Sequence, residues 1–146
     1  MTQVPTLAFV DDDSLVQKVA VDGIRGFNAT LFPDHPSGQD LAIAIRDPET
    51  HEPVGGLCGR TSGGWLAINL LFVPDALRGM GLATQLIAMA EEEARRRGCH
   101  AAWLDTLNPM ALPLYQRLGY EVFGELKDYP VGNNRFFLQK KLSPTA

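Results

Sequence analysis

Hydrophobic positions fall into short runs through the middle of the chain and into a helical stripe on either side of it. Residues 41–45, 54–61 and 65–73 are apolar-rich segments separated by the polar connection 47–53 and by Gly63-Gly64. Such runs with turn chemistry between them predict three strands in an antiparallel meander. Upstream, residues 6–10 read as a short first strand. Leu15, Val16, Val19, Ala20 and Ile24 then recur at helical spacing from a start near Ser14, where Asp11-Asp12-Asp13 offers capping carboxylates. Gly23 and Gly26 leave the end of that helix open, and residues 32–39, with two prolines and a glycine, compose a loop. Downstream, Leu82, Ala83, Leu86, Ile87, Ala90 and Ala94 make one apolar stripe, and Gly98 supplies the stop. Its outer side carries Glu91, Glu92 and Glu93 four residues ahead of Arg95, Arg96 and Arg97, the pattern of a solvated helix face. A buried strand at 101–106, a helix at 109–118 ended by Gly119, and a strand pair at 121–126 and 135–140 complete the chain.

With 146 residues the chain fits one domain, 1–146. Its formal charge of -4 gives no basic stripe for nucleic acid, which favours small molecules or peptides as partners. No apolar run approaches the roughly 20 residues that span a bilayer, and residues 1–10 lack the regions of a signal peptide, so no membrane partner and a cytoplasmic location are expected. Cys58 and Cys99 are the only cysteines and form no metal-ligand cluster. Both read as buried, reduced thiols, and no metal is expected.

The most informative stretch is Leu71-Phe72-Val73-Pro74-Asp75-Ala76-Leu77-Arg78-Gly79-Met80-Gly81-Leu82-Ala83, a strand that passes through a glycine-punctuated turn into the long helix. A helix start leaves four N–H groups unpaired, and this one offers no Ser, Thr, Asp or Asn to cover them. Gly79 and Gly81 admit a ligand close to the backbone, the helix dipole favours anions, and Arg78 adds a positive charge. The turn is suited to phosphate.

Arg78-Gly79-Met80-Gly81-Leu82-Ala83 resembles the R-x-x-G-x-G/A motif of the GCN5-related N-acetyltransferases. Asn108-Pro109-Met110-Ala111-Leu112-Pro113-Leu114-Tyr115-Gln116-Arg117-Leu118-Gly119-Tyr120 is similar to that family's N-x-x-A-x-x-L-Y-x-x-x-G-F/Y element. The two occur in the family's order, across one helix-strand unit. The resemblance covers residues 41–142 well and the amino-terminal part by position alone. It implies an α/β fold of the α+β type: a mixed, mostly antiparallel central sheet of about six to seven strands, helices on both faces, and a splay between strands 4 and 5. A dinucleotide-binding unit is the rival, since Gly79-x-Gly81 opens a helix and Asp105 ends the next strand. Residues 74–78 intervene where that fingerprint needs its first glycine, and hairpins replace repeated strand-helix units. No Gly-Lys-Ser/Thr is present for a Walker A loop.

The resemblance also implies acetyl-CoA as co-substrate, with direct transfer of its acetyl group to a primary amine of a small molecule or peptide. That is an acyltransferase activity, with groups other than aminoacyl groups transferred. A non-catalytic acyl-CoA sensor is the alternative. By carry-over, main-chain groups of Leu71, Phe72 and Val73 bond the pantetheine arm. The arm's pyrophosphate falls to Arg78 and to the amides of Gly79, Met80, Gly81, Leu82, Ala83 and Thr84, with Asn108 on the arm as well. Tyr115 is the expected proton donor to the departing thiolate; its other reading is a core aromatic. Asn108 also reads as an ordinary helix-entry residue. Residues 66–70 lack the carboxylate that many family members carry on strand four and offer only Asn69. Asp105 is the nearest acidic candidate for the base, with His35 or relayed water as alternatives. Trp65, Asp105, Tyr129 and the 32–36 loop are candidates for the acceptor site. Dimers are common in the family, and the two closing strands could pair across a symmetry axis.

Overall fold

A computed structural model describes residues 3–35 and 37–144. The chain divides into two compact units, Met1–Ser37 and Gly38–Ala146. The first holds helix α1, Ser14–Leu31, which runs through Gly23 and Gly26. At its start the Asp12 carboxylate accepts the Ser14 N–H at 3.0 Å and the Ser14 hydroxyl at 2.7 Å. Residues 6–10 form no strand, contrary to expectation. An apolar run becomes a strand only when a neighbour takes up its backbone groups. Of the 32–39 loop, Pro36 lies outside the described residues.

The second unit is built on a six-stranded sheet in the order β1-β2-β3-β4-β6-β5. Its strands are β1 (Gln39–Arg46), β2 (Pro53–Ser62), β3 (Trp65–Phe72), β4 (Ala101–Thr106), β5 (Glu121–Lys127) and β6 (Asn134–Lys141). All pairs are antiparallel except β3–β4. The expected meander is β1 to β3. Helix α2 (Leu82–Arg96) makes the crossover between the two parallel strands, and a short helix α3 (Leu112–Arg117) follows β4.

Alternation decides which side chains enter the core. Leu66 and Ile68 of β3, Ala102 and Leu104 of β4 and Leu138 of β6 point to the same side and pack with Leu86, Ile87, Ala90 and Ala94 of α2. Filling that layer with Leu and Ile contributes about 1.5–3 kcal/mol for each fully buried side chain. Cys99 joins the core, but Cys58 is exposed, against expectation, because its neighbours Leu57 and Gly59 take the inward positions on β2.

The charged side of α2 also departs from its sequence reading. Glu91 is 4% exposed and accepts hydrogen bonds from the Tyr120 hydroxyl and Lys140 Nζ, each at 2.8 Å. Arg95 stands 3.7 Å from the same carboxylate. Arg97 pairs with Glu93 at 2.8 Å and donates to Thr61 and to the carbonyls of Gln39 and Asp40. These groups tie α2 to the two ends of the sheet. A buried carboxylate is tolerable only when donors surround it, and they arrive here from segments 29 and 49 residues away.

Candidate active site

The site begins where β3 and β4 part. Their pairing covers Trp65↔Ala101 through Ile68↔Leu104 and then stops, while β3 continues to Phe72 and β4 to Thr106. The cause lies on the other side of β3, where the β2–β3 register shifts between Cys58 and Gly59. Cys58 pairs with Leu70 and Gly59 with Ile68, so Asn69 is the extra residue of a β-bulge, and the bulge bends β3 away from β4. Gly59 makes it possible: a Cβ there would stand 2.4 Å from the Ala67 carbonyl oxygen. Beyond Ile68, β3 runs on through Leu71 and Phe72 with no β4 partner alongside, and Val73 follows just after the strand.

From that edge the chain passes through a 3-10 turn, Asp75–Leu77, to the start of α2. Gly81 caps α2 in the left-handed conformation, with φ 75°, and no side chain caps the helix. Gly79 has φ 82°, and neither glycine has an atom within 4 Å of where a Cβ would stand. The turn thus presents backbone N–H groups of residues 82–84 to open space, with glycine backbone on its approach. This cradle fits an anion such as a pyrophosphate. The Arg78 guanidinium is 2.6 Å from Asp75, and its Nε–H donates to the Val73 carbonyl at 3.3 Å. An ion pair this exposed holds the side chain weakly, by about 0–1 kcal/mol, and can be exchanged for another anion.

On the helix that follows β4, Tyr115 is 8% exposed and edge-on to Tyr120 at 6.4 Å between ring centroids. Burial pushes its phenol above the ordinary tyrosine pKa, and the nearby charge of Asp105 pushes the same way. Asn108 behaves as a turn residue. Its side-chain oxygen accepts the Met110 N–H at 2.9 Å, and its own N–H donates to the Thr106 hydroxyl at 3.0 Å. This capped turn occupies residues expected to be helical, so α3 begins at Leu112 instead of 109, with Pro113 in its first turn.

Asp105 sits past the last β3–β4 pair and faces Arg135 of β6, whose Nε is 3.3 Å from its carboxylate. The Arg135 guanidinium lies 4.3 Å from the centroid of the Tyr129 ring. Sequence reasoning named Asp105 and Tyr129 but not Arg135, whose importance follows only from the β4–β6 register. Trp65, one of the acceptor-site candidates, begins β3 and pairs with Ala101, at the end of the strand away from the splay. There it packs edge-on against His100 at 5.7 Å and lines a cavity of about 570 Å³ with Glu121, Gln139 and Lys141. That cavity is remote from the phosphate turn along the strands. Among the described residues no cluster of His, Cys, Asp or Glu could hold a metal ion, and no helix is long and apolar enough to cross a membrane.

A mostly antiparallel sheet opened by a bulged strand that splays from its parallel neighbour, with an uncapped glycine turn at the end of the splay, is the architecture that the resemblance to the N-acetyltransferases implied. The sequence profile of the acetyltransferase (GNAT) family matches residues 15–120, and the chain belongs to that family. It is 43% identical over 129 residues to acetyltransferase Atu2258 of Agrobacterium fabrum, covering 88% of this chain and 93% of that one. Blasticidin-S acetyltransferase of Streptomyces morookaense is 40% identical over 95 residues, 64% of this chain and 70% of that protein. A crystal structure from Agrobacterium tumefaciens assigned to the acetyltransferases superposes with a TM-score of 0.85 at 40% identity, covering 95% of this chain and 99% of that one.

Proposed function

We propose that the whole chain, 1–146, acts as an acetyl-CoA-dependent N-acetyltransferase on a primary amine of a small molecule or peptide. The observation that carries this reading is the coincidence of the splay with the uncapped turn. One offers main-chain groups for an extended arm, and the other offers N–H donors for the pyrophosphate at its end. The family match, which extends over residues 15–120, supports treating the chain as one catalytic domain. A relative named for acetylation of blasticidin S supports a small-molecule acceptor.

In this reading Leu71, Phe72 and Val73 hold the arm, and the amides of Gly79, Met80, Gly81, Leu82, Ala83 and Thr84 hold the pyrophosphate with Arg78. The amine nitrogen bonds the acetyl carbon as the carbon–sulfur bond breaks. Tyr115 gives its hydroxyl proton to the leaving sulfur. A neutral amine is needed for attack, and bringing a lysine-like amine from a pKa of about 10.4 to neutrality near pH 7 costs roughly 4.6 kcal/mol. In this reading Asp105, which lies past the last β3–β4 pair, takes the proton. Asn108 supports the turn that presents α3, and its backbone borders the arm.

Calorimetry with acetyl-CoA, and with NAD and ATP as controls, tests the reading when followed by thiol release over an amine panel. Selective acetyl-CoA binding and amine-dependent thiol release are expected. Tight binding without thiol release from any amine would make the protein an acyl-CoA sensor, and no acetyl-CoA binding would overturn the assignment.

A further inference from the structure

We infer that Arg135, Tyr129 and Asp105 form a subsite for an acceptor that carries a carboxylate beside its amine, an α-amino-acid type of amine. The inference rests on the transferase reading of the same cleft. Asp105 pairs with Phe137 across β4–β6, and Arg135, two residues from Phe137 on the same strand, shares its face. The two charges therefore meet as a diagonal cross-strand pair at the mouth of the splay.

Their contact is close but not satisfied. Arg135 Nε lies 3.3 Å from Asp105 Oδ2, yet it is the single buried side-chain N or O atom without a hydrogen-bond partner among the described residues. Buried donors are nearly always paired, and one left open beside an active cleft points to a ligand that pairs it. The guanidinium is a planar fork that matches a carboxylate with two parallel bonds. Its plane is held 4.3 Å from the Tyr129 centroid, which limits its freedom to turn to water. Both side chains are partly open to solvent, at 25% for Arg135 and 28% for Asp105, so a small ligand can reach their outward parts, and it pairs the buried Nε by drawing the Asp105 carboxylate aside.

A zwitterion answers both charges. Its ammonium faces Asp105, the group that would take its proton, and its carboxylate takes the fork of Arg135. An amine without a carboxylate competes with Arg135 for Asp105 and leaves the buried N–H unpaired. The amino terminus of a peptide has that second shape, because its α-carboxyl is an amide.

The full chain is assayed with acetyl-CoA against a panel of α-amino acids, each matched with the amine that lacks its carboxylate. The carboxylate-bearing partner of at least one pair is expected to be favoured by about 100-fold in kcat/KM, the worth of a charge-assisted bond to a buried donor. Arg135→Gln collapses that preference, chiefly through KM, with acetyl-CoA affinity by calorimetry retained. Arg135→Lys, which keeps the charge but not the fork, restores it only in part and controls for folding. Equal use of both partners overturns the inference, as does a preference that survives Arg135→Gln, or turnover of peptides alone. Acetyl-CoA binding with no turnover of any pair overturns it too. Failure to bind acetyl-CoA overturns the underlying transferase reading instead.

Discussion

Tyr115 is held where a phenol stays protonated. Burial and the Asp105 charge both oppose ionisation, so the hydroxyl remains a donor up to and beyond about pH 10, its ordinary range. Tyr115→Phe keeps the ring in the core and removes only that donor. A fall in kcat on the order of 100-fold is expected, with acetyl-CoA affinity little changed. Steady-state thiol release and calorimetry on the same variant check the two halves, and an unaltered kcat would return Tyr115 to the core. This residue was legible in sequence because a motif surrounds it. Glu91 was not: its i,i+4 arginine made a solvated pair look natural, and only Tyr120 and Lys140, brought in from distant segments, turn it into a buried acceptor. Arg135 escaped for the same reason, since its partner is across a ladder whose register no local pattern reveals.

Among the elements, the start of α2 and the bulge in β3 can be tested separately. Gly81 adopts φ 75° with open space above it, so Gly81→Val meets no clash. It pays only the left-handed backbone penalty of about 1–2 kcal/mol. The folded variant is expected to lose at least about tenfold in acetyl-CoA affinity, roughly 1.4 kcal/mol, as the branched side chain covers the amides. A folded Gly81→Val that binds normally would remove the phosphate turn from the site. Gly59→Ala acts on the fold itself. Its methyl would strike the Ala67 carbonyl, and a destabilisation of about 2 kcal/mol or more is expected in denaturant melts. The β3 bulge was hidden in the sequence because one polar residue, Asn69, within an otherwise apolar strand does not say how the strand pairs, whereas β4 was located at its observed bounds, Ala101–Thr106, from the apolar run that opens it, Ala101 to Leu104. The misplaced strand at 6–10 marks the same limit from the other side. Composition proposes strands, and pairing makes them.

At the scale of the whole molecule, the two buried tyrosines couple stability to alkaline pH. Tyr120 is shifted upward more strongly than Tyr115, first by burial and then by the Glu91 charge beside its hydroxyl. In the unfolded chain both phenols ionise near pH 10, while the folded protein keeps their protons. Above that pH the unfolded state binds fewer protons, so unfolding gains ground as pH rises. The stabilising contribution is therefore complete below about pH 10 and declines above it, by up to about 1.4 kcal/mol per pH unit for each phenol. Urea melts at about pH 8 and about pH 11 should show that loss. Tyr120→Phe should show a smaller one, from a baseline lowered by about 1–3 kcal/mol because Glu91 loses a donor. A wild-type protein as stable at the higher pH as at the lower would mean that the phenols reach solvent, and the Tyr120–Glu91–Lys140 tie between α2 and the far end of the sheet would not hold in solution.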